Sequence, residues 1–141
     1  MNLEQGNDLT LVELFRKARN IAVVGMSADP SRASHGVGKY LAEHYHIYPV
    51  NPDYKEILGY RCYPSIGAID EPIDVINIFQ RSHRIGLFVE AAKAKNPAVF
   101  WMQLGIYNSQ ARTALEGAGI TVVENQCTKI EHARLRRTGL L

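Results

Sequence analysis

The chain has 141 residues, of which 46% are hydrophobic and 21% charged, enough for one well-buried domain over residues 1–141 and too few for two ordinary ones. Disordered, collagen-like and coiled-coil chains are excluded by that composition, and the start MNLEQGNDLT has neither the basic segment nor the apolar core of a signal peptide. Lys and Arg number 16 against 14 Asp and Glu, a formal charge of +2 that is too small to point to nucleic acid as the main partner.

The first predicted element is an amphipathic helix. Thr10-Leu11-Val12-Glu13 has capping-box spacing, and Leu11, Leu14, Phe15 and Ala18 follow at i, i+3, i+4 and i+7. Next comes IAVVGM, residues 21–26, a short apolar run rich in β-branched residues, as expected of a strand buried on both faces. Similar runs recur as HIYPVN (46–51), VINIF (75–79), AVFWMQ (98–103) and ITVV (120–123), giving five strands. Helical spacing separates most of them: Val37, Leu41 and Tyr45; Ile85, Phe88, Val89 and Ala92; Ala111, Ala114, Leu115 and Ala118. Ser34, Ser82 and Ser109 are the expected N-caps, with stops at Asn96-Pro97 and Gly117-Ala118-Gly119. Residues 52–74 carry Gly59, Pro64, Gly67 and Pro72 without helical period and predict an irregular crossover. A last helix is expected from Thr128 to about Arg136, with Ile130, Ala133 and Leu135 inward.

Alternation of strand and helix predicts an α/β fold, a doubly wound, mainly parallel five-stranded sheet with helices on both faces. Ligands of such sheets bind at the carboxyl ends of the strands, so the residues there are the candidate site. After the first run come Gly25, Ser27, Arg32, Ser34, Val37 and Lys39, with hydroxyls and cations near one helix start, which suits a phosphate. The glycine spacing matches neither the dinucleotide fingerprint nor a P-loop. After the second run stand Asn51 and Pro52 instead of the acid that accepts hydrogen bonds from the ribose of NAD, and Lys55 follows, better suited to an extra ribose phosphate. Arg81 after the third run reads equally as an anion ligand or a surface residue. Gln103 closes an apolar strand and should hydrogen-bond a ligand or an adjacent loop. Trp101 reads as core.

No metal or catalytic set emerges. His44 and His46 should point apart, no Ser/His/Asp set or paired carboxylates accompany His35 at the strand ends, and His83 reads as surface. Cys62 and Cys127 fit neither a disulfide framework nor a zinc pattern, and neither has an evident reason for a lowered pKa that would let it react with a ligand thiol. Nothing in the sequence demands an enzyme. No apolar run approaches the roughly 18 residues of a membrane span, and the expectation is a cytoplasmic protein.

The segments VVGMSADPSRASHGVGKYL, YPVNPDYKEILGYRCYPSI, VINIFQRS, WMQLGI and VVENQCTKIEHARL resemble the stand-alone CoA-binding proteins, small Rossmann-like domains similar to the CoA-binding domain of the succinyl-CoA synthetase α subunit. The likeness runs from about residue 10 to 136, and VNP-x-x-x-E-I-L-G followed by W-x-Q-x-G-I is its most specific part. It implies that coenzyme A is the cofactor. Gly25, Ser27, Arg32, Ser34 and Val37 would then hold its phosphates, and Asn51, Pro52 and Lys55 would border the adenosine and 3′-phosphate. Phe79 and Arg81 would line the nucleotide or the pantetheine arm, and Gln103 with Gly105 would close the far wall. At Phe79-Gln80-Arg81 the chain departs from the Phe-Arg of many members. The resemblance also implies that the phosphorylated histidine of the synthetases belongs to a further domain, so acyl-CoA formation by this chain alone is not expected. The leading reading is a non-catalytic module for CoA or an acyl-CoA. Its alternatives are a small NAD(P)-binding redox protein and an accessory subunit of a CoA-dependent enzyme.

Overall fold

In the computed structural model, which describes residues 3–141, each of the five apolar runs is a strand. The chain runs α1 (Leu3–Lys17), β1 (Asn20–Val24), α2 (Ala33–Ala42) and β2 (His46–Val50). A two-residue hairpin, β3 (Glu56–Ile57) and β4 (Tyr60–Arg61), and a 3-10 turn (Ile66–Ala68) fill the expected irregular crossover to β5 (Val75–Ile78). A 3-10 stretch (Ser82–Phe88) leads into α3 (Val89–Lys95), and β6 (Val99–Met102), α4 (Ser109–Gly117), β7 (Thr121–Val123) and α5 (Thr128–Arg137) complete the fold.

The sheet order is β2-β1-β5-β6-β7, every pair parallel, with Ile21 opposite both Ile47 and Val75 and Val24 opposite both Val50 and Ile78. The central strands β1, β5 and β6 are buried on both faces because successive side chains enter different cores, whereas the edge strand β7 exposes Thr121. Ala22, Val24, Ile76, Ile78, Phe100 and Met102 pack with Ile85, Val89, Ala92, Ala111 and Leu115 of the α3/α4 side. Ile21, Val23, Val75, Val99 and Trp101 pack with Phe15, Leu41 and Leu135 of the α1/α2/α5 side. The order reverses between β1 and β5, which makes their carboxyl ends the switch point of the sheet.

Several local expectations need correction. Thr10 lies inside α1, not at its start; burial of Leu11, Val12 and Phe15 anchors the helix, which then continues through the preceding residues. The three serines expected as N-caps each fall one or two positions inside the element. The N-caps are Arg32, Arg81 and Asn108, and only Asn108 closes a side-chain cap, accepting from the Ala111 amide at 2.9 Å. In α5 the inward positions are Thr128, His132 and Leu135, while Ile130 is 58% exposed. Spacing of 4 and 3 keeps the first set on one face, and the polarity of Thr128 and His132 hid it.

Candidate ligand-binding cleft

Gly25 leaves β1 with φ +84°, a left-handed conformation that favours glycine. A Cβ there would collide with the Phe79 carbonyl, so the ends of β1 and β5 approach as closely as backbone allows. The Gly25 amide donates to the Val50 carbonyl at 2.7 Å, and the Phe79 amide donates to that of Val24 at 2.8 Å. Around this junction opens a cleft of about 460 Å³.

Of the sequence-predicted residues, Gly25, Asn51, Pro52 and Phe79 line it. Sequence reasoning missed its other walls, formed by Pro64, Ser65 and Ile66 of the crossover and by Leu87, Phe88 and Ala91 around the start of α3. The Pro64 segment has no local period to mark it. Asn51 is an organiser: its Nδ2 donates to the Met26 carbonyl at 3.0 Å and its Oδ1 accepts from the Asp53 amide at 2.9 Å, tying the β1 and β2 loops together at the cleft.

The loop after Gly25 is pinned onto the first turn of α2. The Ser27 amide donates to Ser34 Oγ at 3.0 Å, and His35 Nδ1 bonds the Ser27 carbonyl at 2.9 Å, which fixes the Nδ1–H tautomer. Ser34 and Val37 are turned inward, 8% and 5% exposed. No side chain caps α2, and no acid occupies its first turn; the Arg32 amide is taken by the Asp29 carbonyl at 3.0 Å, which leaves the Ala33 and Ser34 amides and the positive dipole end to an anion. Arg32, Lys55 and Arg81 are exposed, and among the described residues none forms an ion pair. Lys55 follows the lining residue Asp53 by two positions, and Arg81 directly follows the lining residue Gln80.

Gln103 and Gly105 do not line the cleft. Gln103 Oε1 accepts from the Thr128 amide at 3.1 Å and from Thr128 Oγ1 at 3.0 Å, which caps α5; of its two expected partners, it holds the adjacent loop. Gly105, at φ +83°, donates from its amide to Asn125 Oδ1 at 2.7 Å. Asn77, hidden inside the apolar VINIF run, is fully buried on β5, and its amide atoms have no partner among the described residues.

His44 and His46 point apart as expected. His44 lies 4.6 Å ring to ring from His132, whereas His46 lies 4.6 Å from Tyr48 with the ring planes tilted by 47°. Among the described residues no cluster of three potential metal ligands occurs, and no helix is long and apolar enough to cross a membrane. Burial pushes the Cys62 thiol up, against a weaker opposing effect of its contact with the Asn51 carbonyl, so it is held as an unreactive thiol.

A family model described as a CoA binding domain matches residues 19–133. The chain is 39% identical over 122 residues to the uncharacterized protein YneT of Bacillus subtilis, covering 86% of this chain and 90% of that one. It is 34% identical over 77 residues to an acetate–CoA ligase (ADP-forming) of Archaeoglobus fulgidus, 54% of this chain but only 11% of the ligase. A solved structure of a hypothetical protein from Pyrococcus horikoshii superposes with a TM-score of 0.88 at 40% identity, covering 92% of both chains.

Proposed function

This chain belongs to the CoA-binding domain family, and from that premise we propose that it binds coenzyme A or an acyl-CoA across the carboxyl ends of its strands, without chemistry of its own. The observation that carries the reading is the cleft at the switch point, supported by the uncapped start of α2 beyond Gly25 and by Lys55 and Arg81, exposed cations that follow its lining residues in the chain. A pyrophosphate matches the amides at the start of α2 together with Arg32. The adenine matches the wall of Pro52, Ile66 and Phe88, and the 3′-phosphate matches Lys55. Phe79 and Arg81 border the arm. The name of the ligase relative supports CoA as the ligand, and the match to 11% of its length supports chemistry residing elsewhere in that protein.

Calorimetry with CoA and dephospho-CoA tests this. Lys55→Ala should weaken CoA roughly ten- to hundredfold, the equivalent of about 1.5 to 3 kcal/mol for a charge-assisted contact, and should leave dephospho-CoA much less affected. Equal affinity of the native protein for both ligands would remove the 3′-phosphate site. Binding of NADPH without any binding of CoA would replace the reading altogether.

A further inference from the structure

We propose that the ligand of this site is a thioester with an apolar acyl group, held by Leu104 and Tyr107. The inference rests on the CoA reading and begins with the direction of the arm. Of the apolar wall that suits the adenine, Val50, Pro52 and Ile66 lie on the β2 side of the switch point and Phe88 closes it from the start of α3. With the pyrophosphate at the start of α2, the pantetheine arm leaves toward β5 and β6, since β2 occupies the sheet edge on the other side.

Strands are spaced about 4.8 Å apart, so two steps from β1 to β6 cover about 10 Å. The arm has about a dozen bonds, as many as four extended residues, and reaches roughly 14 Å. Its end therefore passes the tip of β6, and there the turn Gln103–Ile106 presents Leu104 at 64% exposure, followed by Tyr107 at 55%. The main chain that carries both is held by hydrogen bonds. The Ile106 amide donates to the Gln103 carbonyl at 2.9 Å, the Gly105 amide to Asn125 Oδ1 at 2.7 Å, and the Tyr107 amide to Ser82 Oγ at 3.0 Å.

Two exposed apolar side chains at the end of a ligand arm are not explained by free CoA, whose thiol would cover little of them. They are also too small a surface for a stable protein interface, which takes about 800 Å² per partner. An acyl chain of several methylenes matches them in both size and chemistry.

The test is calorimetry with CoA, acetyl-CoA and octanoyl-CoA, the last kept monomeric, on the native protein and on the Leu104→Ser/Tyr107→Ser double variant. Octanoyl-CoA should bind about tenfold tighter than CoA, and acetyl-CoA within about twofold of CoA. Tenfold corresponds to about 1.4 kcal/mol, or roughly two fully buried methylenes. The double variant should keep its CoA affinity and lose the octanoyl advantage; both side chains are exposed, and a melting curve verifies that it folds. Equal affinities across the native series, or an advantage that survives in the variant, would overturn the inference while leaving CoA binding intact. Failure of the native protein to bind any of the three would remove the CoA reading and the inference with it.

Discussion

At Gly25 two constraints coincide, a positive φ and a backbone neighbour with no room for a Cβ. Gly25→Ala should therefore lower stability by at least about 2 kcal/mol in urea unfolding, because the strand end must shift as well as strain. A loss within about 0.5 kcal/mol would mean that the β1–β5 junction yields easily. Gly38 faces a related restriction from the Met26 side chain, but a flexible thioether can move aside more easily than a carbonyl. Gly25 was legible in the sequence as the residue ending the first strand. That its neighbour would be Phe79, some fifty residues on, was not, since the two meet only when β5 pairs with β1.

Helix α5 depends on a partner far away in sequence. Its N-cap Cys127 makes no side-chain cap bond, and Gln103 at the end of β6 supplies the acceptor instead. Gln103→Leu should cost about 1 to 2 kcal/mol, with amide exchange accelerating first between Thr128 and Leu135. Unchanged stability with lost CoA affinity would assign the side chain to the ligand. The sequence marked Gln103 as unusual, a polar group closing an apolar strand, but could not choose between ligand and loop. The same limit explains the error at Ile130: hydrophobicity suggested an inward residue, yet the sheet and α1 admit the face carrying Thr128, His132 and Leu135.

Across the whole molecule, α1, α2 and α5 converge on one aromatic and imidazole cluster. His132 is 3% exposed, its Nδ1 lies 2.8 Å from the Tyr40 hydroxyl, and Phe15, His44 and Tyr45 surround its ring, with Arg136 bonded to His44. Burial, then His44 and Arg136, lower its pKa to about 4, and burial followed by Arg136 also lowers that of His44. An unfolded histidine takes up its proton near pH 6.5, whereas folded His132 resists until about pH 4. Its contribution to stability is therefore complete above pH 6.5 and is lost as the pH falls toward 4, a loss on the order of 2 kcal/mol after allowance for screening. Urea unfolding at pH 7 and at 4.5 measures the drop. His132→Phe should flatten it, and an unchanged slope in that variant would assign the pH dependence to other groups.

The number and chain order of the five sheet strands and the approximate places of the main helices were determined by the sequence alone, because strands buried on both faces are continuous apolar runs and helices carry their own period. So was the position of the candidate loops, which follow each strand in the chain. The β3–β4 hairpin, which has no such run, was not. The tertiary structure decided the strand order, and with it the switch point, the walls that Pro64–Ile66 and Leu87–Ala91 give the cleft, and the partners of Gln103 and His132. Those are contacts between segments tens of residues apart, and local hydrophobic period carries no record of which segments will meet.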